Sequence, residues 1–139
     1  MIAALVADLQ PSALTAPYWE AAARHRLMIQ RCRECRSWQH PPRPVCLSCA
    51  STALDFEPVS GRATVYTFTV VERALVRALR DQIPYVLAVV SLVEGPRLMT
   101  LIRGCPAPDC RVGMDVVVEF EEVGAVTLPV FRPAPGDAA

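Results

Sequence analysis

Hydrophobic and polar positions alternate most clearly in the second half of the chain. After Gly61, the run Arg62-Ala63-Thr64-Val65-Tyr66-Thr67-Phe68-Thr69-Val70-Val71 is rich in β-branched and aromatic residues at near period two. That spacing predicts a half-buried strand with Tyr66, Phe68 and Val70 on one face. Pro84 to Val93 is apolar at almost every position and reads as a more fully buried strand. Glu94-Gly95-Pro96 turns it into a third strand at Arg97 to Arg103. Asp115 to Glu122 and Val126 to Phe131 form a fourth and fifth strand around Val123-Gly124-Ala125. Five short strands without a βαβ repeat predict a small closed barrel, for which the OB-fold is the commonest solution and an SH3-like barrel the alternative.

The first half follows other rules. Residues 1–16 show no clear period, and the Gln10-Pro11-Ser12 break ends any early helix. Thr15 as an N-cap and Pro17 in the first turn predict a short helix through Tyr18-Trp19-Glu20-Ala21-Ala22-Ala23-Arg24-His25. Tyr18 and Trp19 put two large apolar surfaces on that element, as core or as a docking surface. Leu27 to Arg31 and Ser37 to His40 read as strands, and Pro41-Pro42-Arg43-Pro44 as a stiff connector. The expected organisation is therefore mainly β: a helix and metal ribbon at 1–58, a barrel at 59–133 and a disordered tail at 134–139.

Between the first two barrel strands, residues 72–83 place Leu75, Val76 and Leu79 at helical spacing, opposite Arg73, Arg77 and Arg80. They predict a helical lid or an amphipathic arm reaching a partner or a phosphate-bearing ligand, and the absence of a matching acidic stripe favours the arm.

Composition sharpens the picture at three points. The 139 residues suffice for one domain with a core, or one domain plus a metal-held appendage. The formal charge is zero, which argues against a nucleic-acid binder whose affinity rests on basic excess. The apolar fraction of 53% suggests surface that a partner covers. The N-terminal stretch lacks a basic n-region, and no other run reaches the length of a membrane span, so a cytoplasmic protein with reduced thiols is expected.

The candidate chemistry lies in Cys32-Arg33-Glu34-Cys35 and Cys46-Leu47-Ser48-Cys49. Two Cys-x2-Cys hooks at this separation can place four thiolates around one tetrahedral ion, and zinc is the expected metal. Such a closed shell is structural. Two disulfides, or a rubredoxin-type iron centre, would use the same residues and are the lesser readings. Arg31, Arg33, Arg36 and Arg43 around the hooks would offset the charge of a four-thiolate centre, or present a basic face. His25 reads as solvated and His40 as a strand-end surface residue, because the cysteines already complete the shell. Cys105 and Cys110 read as incidental thiols. No nucleophile–base pair is evident, so no catalytic residue is assigned.

Taken together, the chain from Pro17 to Pro133 resembles the family catalogued as domain of unknown function thirty-five, which joins a rubredoxin-like zinc ribbon to an OB-fold and is linked to acyl-CoA. The resemblance rests on Tyr18-Trp19, the four hook cysteines with Pro41-Pro42-Arg43 between them, Gly61, Pro84-Tyr85-Val86, Glu94-Gly95-Pro96-Arg97-Leu98, Gly104-Cys105, Val112-Gly113-Met114 and Leu128-Pro129-Val130-Phe131-Arg132-Pro133. Ribbons of this type often carry glycine where this chain has Arg26 and Arg36, which implies altered or strained knuckle geometry at Arg36. The resemblance implies an accessory subunit docked on a thiolase-like enzyme, such as a retro-aldolase of steroid side-chain degradation, and completing its acyl-CoA site. The alternatives are a subunit of a hot-dog-fold enoyl-CoA hydratase, or a stand-alone acyl-CoA-binding module. In the latter, Arg103 or the arginines of the 72–83 arm would hold CoA phosphates. A single-stranded nucleic-acid binder is the weakest reading.

Overall fold

The computed structural model describes residues 9–136; the expectations for residues 1–8 and for the end of the tail lie outside it. Helix α1 (Ala16–Ala23) starts at Thr15, with Pro17 in its first turn as expected. Thr15 does not cap the helix with its side chain. Instead Ser12 and Thr15 bond each other's backbone N–H groups through their hydroxyls, at 3.0 and 3.2 Å. The helix ends where His25 takes a left-handed φ of 60°, and it buries Tyr18, Ala21 and Ala22.

Strands β1 (Met28–Cys32), β2 (Trp38–Gln39) and β3 (Leu54–Pro58) form an antiparallel sheet in the order β2-β1-β3. The hydrophobic pattern predicted β1 and β2 but not β3, whose Leu-Asp-Phe-Glu-Pro run is short and half-buried. Five further strands, β4 (Arg62–Val71), β5 (Tyr85–Leu92), β6 (Arg97–Ile102), β7 (Asp115–Val123) and β8 (Val126–Pro133), close into a barrel in the order β4-β5-β6-β8-β7. Its neighbours are antiparallel except β6 and β8, which meet in parallel at Ile102 and Phe131. This is a five-stranded OB-fold barrel.

The barrel departs from the sequence expectations at two places. In β4 the register slips between Val65 and Thr67, so Tyr66 is the extra residue of a β-bulge. Ala63 and Val65 face the core before the bulge, and Phe68 and Val70 pack against it afterwards. Tyr66 therefore leaves their face; it is half exposed, with the Arg97 guanidinium 3.7 Å above its ring. Residues 72–83 hold no α-helix, only a 310 turn at Arg77–Leu79. Leu75 is 90% exposed, so the apolar positions of this segment form no stripe against the barrel.

Helix, ribbon and barrel share one core. Tyr18, Leu27 and Ile29 pack in the same cluster as Val65, Val90, Val116 and Phe131, and His25 stacks on Phe120 of β7 at 5.2 Å. At the crossing into the barrel, Gly61 has a φ of +80° and lies where a Cβ would overlap the side chain of Val118. Only glycine meets both conditions, and the close approach lets Val118 N–H donate to the Gly61 carbonyl at 2.8 Å.

Candidate metal centre

Each hook is a backbone knuckle built the same way. Cys32 N–H donates to Ser37 O, and Arg36 N–H returns to Cys32 O at 3.1 Å. In the second hook Cys46 N–H donates to Ser51 O, and Ala50 N–H returns to Cys46 O at 2.9 Å. The residue after each second cysteine must turn left-handed to close the knuckle: Arg36 has a φ of 66° and Ala50 of 63°. The strain expected at Arg36 is thus present, and it recurs at Ala50.

The knuckles bring the four sulfurs together, all within 4.8 Å of one another. Cys32 Sγ lies 3.6 Å from Cys49 Sγ, and Cys35 Sγ lies 3.5 Å from Cys46 Sγ. A tetrahedron with Zn–S bonds of about 2.3 Å has edges of about 3.8 Å. The donor set fits one soft cation, while the spacing is far from a disulfide bond. Cys32 and Cys46 are buried and Cys35 and Cys49 exposed; four thiolates would complete a tetrahedral shell and leave no position for water. The Ser37 hydroxyl, 3.3 Å from Cys35 Sγ, together with the Ser37 backbone, lowers the Cys35 pKa to about 6, while burial and the neighbouring sulfurs push Cys49 up to about 12, so the four thiols crowd one another and a cation would have to displace the Cys49 proton.

Two buried glutamines position the second hook. Gln30 and Gln39 face each other across β1 and β2, and Gln39 Nε2 donates to Gln30 Oε1 at 2.6 Å. Gln30 holds Arg43 through both its amide atoms, at 2.9 and 2.8 Å. Gln39 donates to Val45 O and accepts from Leu47 N–H at 2.9 Å, inside the Cys46–Cys49 turn. Neither glutamine stands out in the sequence. The available signal was parity, since Gln30 lies two positions from Cys32 on the same face of β1.

The arginines around the hooks are largely paired. Arg31 and Arg36 reach Glu57 at 3.7 and 3.5 Å, and Arg33 reaches Asp55 at 3.6 Å. The acids come from β3, the strand the pattern missed. Arg31 also lies 4.5 Å over the Trp38 ring. The ribbon therefore presents no free basic face of these three side chains.

The remaining site candidates are scattered. Tyr18 is 9% exposed, its hydroxyl pKa pushed up to about 12 by burial, and its ring meets Trp19 edge-on at 5.1 Å. It has almost no surface to offer a partner, whereas Trp19 is only partly buried. Arg73, Arg77 and Arg80 are exposed and form no ion pair with a described residue. Arg103 is occupied: its Nε and a terminal nitrogen donate to the two Glu121 oxygens, both at 3.0 Å. Neither histidine pairs with a nucleophile among the described residues. His25 lies 3.9 Å from Glu122, and His40 is packed on Tyr18 at 5.5 Å with its Nδ1 buried and unpartnered. Burial lowers the His40 pKa to about 4, so it stays neutral and is packed inward, where a strand-end surface residue was expected.

A four-cysteine ribbon on a five-stranded OB barrel defines the class: a zinc-ribbon OB-fold protein whose metal is structural. Residues 19–55 match the family model "ChsH2, rubredoxin-like zinc ribbon domain", and residues 56–121 match "ChsH2, C-terminal OB-fold domain". The chain belongs to this ChsH2/DUF35 family. It is 34% identical to a DUF35 domain-containing scaffold protein of Methanocaldococcus jannaschii, over 72% of this chain and 71% of that one. It is also similar to a probable enoyl-CoA hydratase alpha subunit of Thermomonospora curvata, 41% identical over 84% of this chain. A 3-oxo-4,17-pregnadiene-20-carboxyl-CoA hydratase alpha subunit of Mycobacterium tuberculosis is 32% identical over 91% of this chain. The chain spans only 36% and 42% of those two subunits. Among solved structures, a chain of the "Ltp2-ChsH2(DUF35) aldolase" superposes with a TM-score of 0.81 at 39% identity, over 88% of this chain and 95% of that one. Among the described residues no helix is long and apolar enough to cross a membrane.

Proposed function

We propose that this chain is a non-catalytic accessory subunit of a thiolase-like acyl-CoA enzyme of the cytosol. Zinc held by Cys32, Cys35, Cys46 and Cys49 keeps its ribbon folded, and its barrel docks on the partner to complete the acyl-CoA site. The observation that carries this reading is the outer face of the barrel. Leu87 and Val89 of β5 and Met99 of β6 point outward beside Thr67 and Thr69, lining an open depression of about 230 Å³. Met99 is 69% exposed. Apolar side chains on both faces of one strand fit a sheet covered on both sides. The structural relative named as an Ltp2-ChsH2(DUF35) aldolase supports assembly with a larger enzyme of aldolase type, and the similarity to a pregnadiene carboxyl-CoA hydratase subunit supports a steroid side-chain CoA thioester as substrate.

A second reading follows from the curated relatives: the chain serves an enoyl-CoA hydratase, as the alpha subunits named above do. Affinity purification of the tagged full chain from its native cells, with mass spectrometry and zinc quantification on the eluate, separates the two. A stoichiometric thiolase-fold chain, lost with Val89→Glu and Met99→Glu, supports the first reading. A hydratase chain supports the second. A lone zinc protein that takes up acyl-CoA in calorimetry would replace both with the binding-module reading.

A further inference from the structure

Cys105 and Cys110 are not separate thiols. The 310 turn at Ala107–Asp109 folds the Pro106-Ala107-Pro108-Asp109 segment back on itself, with Asp109 N–H donating to Pro106 O at 2.8 Å. Cys110 Sγ thereby comes to 3.3 Å from Cys105 Sγ. Cys110 is 6% exposed and belongs to the barrel core, while Cys105 packs on that core and remains partly open to solvent. Both ends of the connection are anchored. Arg103 N–H donates to Phe131 O on one side, and Gly113 N–H to Val65 O on the other, both at 2.8 Å. A disulfide needs sulfurs at about 2.05 Å, so the pair must approach by roughly 1.3 Å.

We propose that Cys105 and Cys110 form a modification site for thiol–disulfide exchange with low-molecular-weight disulfides, yielding an intramolecular disulfide that staples the β6–β7 connection. The partly open Cys105, as thiolate, attacks one sulfur of the small disulfide. A Cys105 mixed disulfide forms and one small thiolate leaves. Cys110 then loses its proton and attacks the Cys105 sulfur, expelling the second small thiolate. The two protein thiols are oxidised by two electrons, the reagent is reduced to two thiols, and the two protein protons pass to solvent or to the departing thiolates. The second step is favoured because Cys110 is already beside its target in a short, proline-stiffened loop, so the effective concentration of the resolving thiol is high. Burial and the neighbouring Cys105 push the Cys110 thiol up to about 12. The exchange therefore begins at Cys105, and Cys110 acts as the resolving group. The four hook cysteines, held by metal, are unavailable to the same reagent.

The test uses the full chain loaded with zinc and equilibrated with glutathione disulfide as the probe, followed by intact mass and peptide mapping. The expected product has lost two hydrogens, carries a Cys105–Cys110 crosslink, retains its zinc, and shows a raised Tm that dithiothreitol reverses. Cys110→Ser should stop at the Cys105 glutathione adduct, in a fraction at least about tenfold above that of the unaltered chain. Cys105→Ser should show neither product. A stable glutathione adduct on Cys105 in the unaltered chain, full recovery of both free thiols, or oxidation confined to the hook cysteines would each overturn the proposal.

Discussion

Replacing Gln39 by Met tests whether the buried glutamine pair positions the metal site. Methionine keeps the length and volume of the side chain, so the main loss is polar. Gln39 makes three hydrogen bonds: to Gln30 Oε1 at 2.6 Å, to Val45 O at 3.2 Å, and from Leu47 N–H at 2.9 Å. The first is buried, and the others are partly so. At about 0.5–1.5 kcal/mol net for each bond, the substitution should cost about 2–3 kcal/mol. Leu47 lies inside the second hook, so this loss falls on the closed, metal-holding form of the loop and is read as zinc affinity. The expected effect is zinc binding roughly 30- to 150-fold weaker, measured by competition with a chromophoric chelator near neutral pH. Leu47→Ala is the control, because it keeps the backbone donor and removes only a side chain that is 67% exposed. Zinc affinity of Gln39→Met within about twofold of the unaltered chain, a difference of about 0.4 kcal/mol, would mean that the glutamine pair does not hold the second hook.

Three further outcomes are expected. Gly61→Ala should lower stability by more than about 2 kcal/mol in denaturant unfolding, because the new Cβ meets Val118 at a left-handed φ; an unchanged midpoint would show that the crossing is looser than described. Ala50→Gly should raise stability by up to about 1 kcal/mol, by relieving a left-handed alanine at φ 63°; a loss would mean that the unfolded-state entropy of glycine outweighs the relief. His40 has its pKa lowered to about 4 by burial, so the folded chain resists a proton that the unfolded chain accepts near 6.5. That linkage is silent above pH ~6.5 and costs stability as pH falls from about 6.5 toward about 4. Between pH ~7 and ~5.5 the zinc-saturated chain should lose up to about 1 kcal/mol that His40→Phe does not lose, and parallel pH profiles would count against the buried histidine.

The barrel was legible because its strands write themselves as alternating or near-continuous apolar runs between turn residues, and β4 through β8 lie within two residues of where those runs put them. The bulge at Tyr66 was not legible, since one extra residue changes register without changing composition. The 72–83 segment misled for a related reason: helical spacing of apolar residues specifies a helix only where something covers them, and Leu75 has nothing over it. In the metal centre, the hook spacing identified the four cysteines at once. Gln30 and Gln39 escaped notice because buried glutamine is uncommon, and its function depends on register between two strands rather than on distance along the chain. Cys105 and Cys110 were read as incidental for want of the 310 turn that brings their sulfurs together.

Strand β1 links the two halves of the molecule through its parity. Ile29 turns one way, fully buried in the cluster shared with the barrel. Gln30 and Cys32 turn the other way, toward the glutamine pair and the four sulfurs. A slip of one residue would exchange these faces, placing an apolar side chain at the metal and an amide in the core. Any such slip also moves Cys32 out of reach of Cys49. A soft ion on the four cysteines therefore locks the register in which Ile29 enters the core. Although no metal ligand comes from the barrel, the zinc ribbon helps to specify barrel packing through this one strand.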